Sequence, residues 1–205
     1  IKYKKSYSNL DHVKDKPFVI ALGSYDQPCF FLEYDRCILP VLYGLYVDEK
    51  NEYNGETVYN YGVPVKKMMN IKKSNGSSVP LGLFTNDSMK EVSAVIFSCG
   101  ATFSKLEARS KIYTKLNTHF IYVTLNEEGR IKDNTIRMRN KSETIQDSLC
   151  ILHNPYATNP ISQDLLSKQG VSVYNLNIEK NIFYRKINRY FIVGRMARII
   201  IPRKS

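Results

Sequence analysis

Glu91-Val92-Ser93-Ala94-Val95-Ile96-Phe97-Ser98, followed by Cys99-Gly100-Ala101 and Thr102-Phe103-Ser104-Lys105, is the stretch on which the fold class turns. Glu91–Ser98 is apolar almost without interruption, which predicts a strand covered on both faces. Cys99-Gly100-Ala101 is a tight turn. Thr102 then serves as N-cap for a helix over Thr102–Leu116, with Phe103, Leu106, Ile112 and Leu116 at roughly helical spacing. His119–Leu125 (HFIYVTL) is a further strand, closed by Glu127-Glu128-Gly129.

The same alternation extends toward the amino terminus. Tyr3–Leu10 is short and basic and reads as the tail of a helix. Pro17 forbids a helix through Lys14-Asp15-Lys16-Pro17. Pro17–Leu22 (PFVIAL), stopped by Gly23-Ser24, predicts a second buried strand. Asp35–Leu45 (DRCILPVLYGL) reads as a helix with Asp35 as N-cap and Ile38, Leu39, Leu42 and Leu45 on one face; Pro40 fits only within its first turn. Strand, helix, strand, helix, strand in order argues an α/β sheet with crossover helices. Pro17–Leu22, Glu91–Ser98 and His119–Leu125 are expected as neighbouring central strands.

Tyr46–Ser78 is expected to be a long polar excursion, with an edge hairpin at Thr57–Val65. Gly129–Glu143 is basic and polar, and Ser148–Leu152 short and apolar. Ile161–Lys168 reads as a short helix stopped at Gly170. Val171–Leu176, Asn181–Ile187 and Arg198–Ile201 are small strands that close the sheet or form an appended meander. The expectation is one α/β domain over residues 1–205: a mixed, partly parallel sheet, flanking helices and a small C-terminal β meander.

Composition bounds the function. Over 205 residues, 30 basic and 19 acidic side chains give +11, and aromatics make up 12%. That aromatic content excludes disorder over the whole chain. No run approaches the ~18–20 apolar residues of a membrane span. A polyanion is the natural partner of such a charge, and nucleic acid is the commonest in a cell. Ile1 opens onto Lys2-Tyr3-Lys4-Lys5, with neither an apolar core nor a cleavage site for a signal peptide, and a further segment upstream is expected. Cys29, Cys37, Cys99 and Cys150 lack CxxC spacing. His12, His119 and His153 lack HxxxH or HExxH pairing. Reduced thiols in a cytoplasm are expected, and no zinc site.

Three basic clusters are candidates for nucleic-acid contact. Lys66, Lys67, Lys72 and Lys73 form the first. Arg130, Lys132, Arg137, Arg139 and Lys141, opposed only by Asp133, form the second. The third follows Glu179, after which no acid occurs: Lys180, Arg185, Lys186, Arg189, Arg195, Arg198, Arg203 and Lys204, with Tyr184 and Tyr190 between them. Arg195 and Arg198 carry a competing reading, as partners of acids within the fold. Gly100, Thr102, Ser104 and Lys105 are candidates for anion binding, since a glycine turn opening a helix offers amides and a positive dipole end. The plain alternative is a capped β–α turn; the GxxxxGK[ST] pattern is absent. Ser24 and Asp26 leave the first strand in the same manner. Cys29 and Cys37 read better as small hydrophobes than as nucleophiles. Neither Asp48-Glu49-Lys50 nor Ile178-Glu179-Lys180 makes a metal-binding acid pair followed by lysine.

Several of these stretches together resemble a family of largely uncharacterised bacterial proteins. They are Leu10–Leu22 with Pro28, Ile38–Gly44 (ILPVLYG), Val92–Lys105 (VSAVIFSCGATFSK), and His153-Asn154-Pro155 with Pro160, spanning about Lys2 to Pro202. Longer members of that family carry an upstream region resembling a PD-(D/E)xK, restriction-endonuclease-like nuclease core. The resemblance implies that this chain is the later part of such a protein. Its metal-binding acids and lysine, and hence any Mg²⁺, would lie before Ile1, and no catalytic residue carries over onto this sequence. An Asp-Phe-His-like triplet of the family is replaced here by Ser24-Tyr25-Asp26. The expected function is nucleic-acid binding within a nuclease-like protein, with metal-dependent phosphodiester cleavage if the upstream core is present. The alternative is a non-enzymatic interaction module with a basic surface.

Overall fold

A computed structural model describes residues 7, 10–26, 30, 33–47, 65–109, 118–125, 131–137, 143–168, 170–180, 182–187 and 191–199. The strands among them are β1 (Val19–Gly23), β2 (Leu45–Val47), β3 (Val65–Lys67), β4 (Asn70–Lys72), β5 (Ser78–Pro80), β6 (Ala94–Ser98), β7 (Thr118–Leu125), β8 (Ile131–Arg137), β9 (Leu149–His153), β10 (Val171–Asn177), β11 (Ile182–Ile187) and β12 (Phe191–Ile199). The α-helices are short: α1 (Glu33–Arg36), α2 (Ile38–Tyr43) and α3 (Phe103–Arg109). The fold is α/β with a mixed sheet, as the alternation of apolar runs implies, and flanking helices are sparse.

The main sheet has five strands in the order β1-β6-β9-β10-β11. β1 and β6 run parallel, as do β9 and β10, while β6–β9 and β10–β11 are antiparallel. Both faces are covered. Ile96, Ile151 and Val173 stand in register on one face, where Leu166 from the turn-rich 161–168 segment packs on them. On the other face Val95, Leu152 and Tyr174 stand in register and meet Ile38, Leu42 and Tyr43 of α2 and Phe191 of β12. The Tyr43 hydroxyl donates to the His153 carbonyl at 2.7 Å, satisfying its polar end deep in this core.

Two expected placements are corrected. β1 is an edge strand, with Ala21, Leu22 and Gly23 exposed, so Pro17–Leu22 is not central. Its apolar run is satisfied by Phe18 and Ile20, which pack against the core. His119–Leu125 is not a neighbour of β6 at all. As β7 it is the middle strand of a second, three-stranded sheet in the order β12-β7-β8. Apolar continuity reports that a strand is covered, not which strand it pairs with. Of the small C-terminal strands, β10 and β11 extend the main sheet and β12 crosses to the second one.

Other differences are local. The first helix is split at Cys37 into α1 and α2, and Pro40 falls in the first turn of α2. Gly44 ends α2 in a left-handed conformation, φ 64°, and donates to the Pro40 carbonyl. Leu45 belongs to β2. Within 46–78 the described part is ordered: β2 pairs with β3, and β4 with β5. The hairpin expected at Thr57–Val65 lies outside the described residues except for Val65. Residues 161–168 form turns rather than a helix, and Gly170 (φ 78°) follows them. Tyr3–Leu10 and the end of the Thr102–Leu116 helix lie largely outside the described residues. Among the described residues no helix is long and apolar enough to cross a membrane.

Candidate functional site

The turn after β6 has the cap that its sequence implies. Thr102 Oγ1 accepts from the Lys105 amide at 3.2 Å, so α3 begins where expected. Four amides of this turn and of the first helical residues are engaged within the chain. The Thr102 amide donates to Gly100 O, and those of Lys105 and Leu106 donate to Thr102 O. The Ala101 amide donates to the Tyr25 hydroxyl, which also bonds Ser98 Oγ at 2.7 Å. Tyr25, rather than Ser24 or Asp26, is thus the residue that reaches this turn from β1. Gly100 is glycine for a packing reason: a Cβ there would collide with the Ser148 side chain, its Oγ only 2.9 Å away. The plain capped turn is therefore the better description of Gly100 and Thr102. The side chain of Ser104 lies outside the described residues.

Lys105 turns inward. Its Nζ donates to the carbonyls of Ile145 at 2.8 Å and Asp147 at 2.5 Å, and lies 4.0 Å from Glu143 Oε1. Burial lowers its pKa from 10.5 to about 8, opposed by the Glu143 and Asp147 charges and reinforced by Arg195 and Arg109. Arg195 from β12 completes the cluster. Its Nε donates to both Glu143 oxygens at 2.7 and 2.8 Å, and its Nη2 to Glu143 Oε1 and to Ser148 Oγ. The side chains of Arg195 and Glu143 are 4% and 1% exposed. Ser148 holds a left-handed φ of 70° and donates through Oγ to Ile192 O at 2.6 Å. Asp147 accepts from the Thr144 amide at 2.7 Å, and Gly170 is glycine because Asp147 fills the space beside it.

This constellation joins four segments: α3, residues 143–148, the 170 turn and β12. Two cations share one buried carboxylate, so a reacting group would have to displace one of them. Its chemistry is structural. Beside it opens a cleft of about 570 Å³ lined by Ser98, Ala101, Thr102, Lys105, Leu106 and Arg109, at the carboxyl end of β6. A second cleft, of about 830 Å³, lies at the carboxyl ends of β9 and β10 and includes His153, Asn175, Tyr184 and Lys186. His153 Nε2 there is buried and has no hydrogen-bond partner among the described residues, and burial lowers the imidazole pKa. Asn154 beside it is a clamp, donating to the carbonyls of Met89 and Val92 at 2.9 Å.

The expected basic contacts are dispersed. Lys67, Lys72 and Lys73 are exposed on the two small hairpins, and Lys66 sits in β3 with a side chain outside the described residues. Arg137 ends β8 and Arg198 lies in β12, both with undescribed side chains; Arg139 is outside the described residues. Arg195 is not a phosphate contact but the partner of Glu143. Arg185, from the same cluster, is also internal: its guanidinium carbon lies 5.2 Å from the Tyr174 ring centroid, and its Nε donates to Ser172 Oγ. Glu143, Asp147 and Ser148 carry no sequence motif. Their one signal in the sequence is that Glu143 closes an otherwise basic stretch.

Among the described residues Cys37, Cys99 and Cys150 are in no disulfide, and Cys29 lies outside the described residues. The Cys37 thiol is pushed up to about 11 by partial burial and by the hydrogen bond and charge of Glu33, so it is no nucleophile at neutral pH. Among the described residues no group of three or more His, Cys, Asp or Glu side chains could hold a metal ion. The acids of the buried cluster do not fit Mg²⁺, since Arg195 occupies the oxygens of Glu143. Neither a family model, nor a curated protein, nor a solved structure matches this chain.

Proposed function

We propose that the chain is the nucleic-acid-binding part of a restriction-endonuclease-like protein, working in a reducing cytoplasm. One observation carries the reading. Lys67, Lys72 and Lys73 are exposed on two adjoining hairpins together with Tyr46, Met69 and Ile71. Cations for phosphate and apolar or aromatic side chains for bases are thus exposed close together along these short strands. The reducing compartment rests on the scattered spacing of the four cysteines, which form no paired framework. The Mg²⁺-held carboxylates that the resemblance implies are assigned to none of these residues, whose part is binding alone.

The test is a titration of labelled duplex and single-stranded oligonucleotides across a salt series. Log affinity should fall linearly with log salt, because each neutralised phosphate releases counterions. Absence of binding at low salt by the folded chain overturns the reading. A non-enzymatic interaction module is the second reading, favoured by Phe103, Leu106 and Ile145, which are exposed around the cleft beside α3. It gains if the same experiment finds no nucleic-acid affinity.

A further inference from the structure

The hairpin of β4 and β5 differs from the rest of the small-strand region. Its root is fastened to the core. The Met68 amide donates to Gly44 O at 2.7 Å and Leu81 to Met69 O at 2.9 Å. Gly82, Leu83 and Phe84 donate in turn to the carbonyls of Pro40, Val41 and Leu42, three of the last four of α2. Leu81 and Phe84 are buried, and Met69 lies over Gly44 and Gly82. Beyond that root every residue of β4 is exposed, as are Ser78 and Pro80 of β5. The tip is built, not loose. Lys73 N donates to Ser77 O at 2.8 Å, Gly76 takes φ 81°, and Asn75 Oδ1 accepts from both the amide and the hydroxyl of Ser77.

A two-stranded ribbon exposed on both faces buries little of itself and needs its mounting to persist. Its chemistry is one-sided. Between Glu56 and Asp87 the sequence holds no acid, while Lys66, Lys67, Lys72 and Lys73 fall there. Asn70, Ser74, Asn75, Ser77 and Ser78 supply neutral donors and acceptors, and Ile71 an exposed apolar side chain. At ~3.3 Å per residue the tip stands roughly 16 Å from the root. Strands ~4.8 Å apart, with side chains, fit the ~12 Å major groove of B-form DNA and exceed the ~6 Å minor groove. The A-form major groove of duplex RNA is too narrow for such an arm.

Resting on the nucleic-acid reading above, we infer that the Asn70–Pro80 ribbon is a DNA-binding arm that enters the major groove. Lys72 and Lys73 contact the flanking phosphates, while Asn70 and Ser78, which share the ribbon face of Lys72, meet base edges.

The test compares the wild-type chain with two double variants of equal charge change, Lys72→Ala with Lys73→Ala on the ribbon and Lys14→Ala with Lys16→Ala on the exposed turn before β1. Probes are duplex DNA, duplex RNA of the same sequence, DNA whose major groove is filled by glucosylated cytosines, and anionic lipid vesicles. Unfolding midpoints are measured beside them. The wild-type chain should prefer plain duplex DNA over the other three. The ribbon variant should flatten the slope of log affinity against log salt by roughly two units, more than the control variant, at an unchanged midpoint. Wild-type binding with equal slopes for the two variants overturns the arm and leaves the nucleic-acid reading standing. Equal affinity for RNA or for groove-filled DNA also overturns it, as does a ribbon effect confined to vesicles. No wild-type binding to any nucleic acid overturns both.

Discussion

Glu143 is buried with two cations turned toward it, one from α3 and one from the far end of the sequence. Removing one member of a buried ion pair leaves an uncompensated charge, whereas a surface pair is worth little. Arg195→Ala should therefore lower stability by roughly 3–5 kcal/mol, read from urea unfolding. It should leave the salt slope of nucleic-acid affinity unchanged in the folded fraction. Flattening of that slope without loss of stability would contradict the assignment. The role of Arg195 is not visible in sequence, because its acid lies 52 residues away and belongs to a stretch that reads as basic. The same holds for Lys105. Its cap partner Thr102 is local and legible, but the carbonyls that hold its ammonium are 40 and 42 positions distant.

Elements were legible where burial alone defines them. β6 and β7 fall where apolar runs predict strands, and so does β1, shifted by one or two residues. Pairing was not legible, since an edge strand such as β1 buries one part and exposes another while its sequence stays apolar throughout. β8 was hidden in a polar segment because the edge of a three-stranded sheet is selected by its backbone ladder with β7 rather than by an apolar run. At α2 the local signals agree with one another: Pro40 in the first turn and glycine just past the end. Gly44 also carries the ribbon. Its φ is 64°, and a Cβ there would lie 2.9 Å from Met69 Sδ and 3.2 Å from Met68 O. Gly44→Ala should cost about 1–3 kcal/mol through left-handed strain and overpacking. Amide exchange should quicken at Met68 and Leu81, the bonds of the ribbon root. Exchange faster only in residues remote from this turn would count against that coupling.

At the scale of the molecule, net charge and internal charge separate. Of the cations that raise the total to +11, Arg185, Arg195 and Lys105 are buried and act on the fold. Lys105 ties the whole molecule's stability to pH. Its pKa is about 8 in the fold against an ordinary 10.5, so between these values the unfolded chain binds more protons than the folded one. Stability from this group must then rise with pH through that window, and below about 8 the buried ammonium is a standing cost. Urea midpoints from pH 7 to 10 should show the rise in wild type and a flatter profile in Lys105→Met; parallel profiles would refute it. The 52-residue separation of Glu143 from Arg195 has a further consequence in time. At synthesis rates of ~5–20 residues per second, the carboxylate leaves the ribosome roughly 3–10 s before its main counter-ion exists. During that interval the segment around Glu143 cannot be buried without cost, so the second sheet, although β7 and β8 are already made, closes only when the last strand arrives.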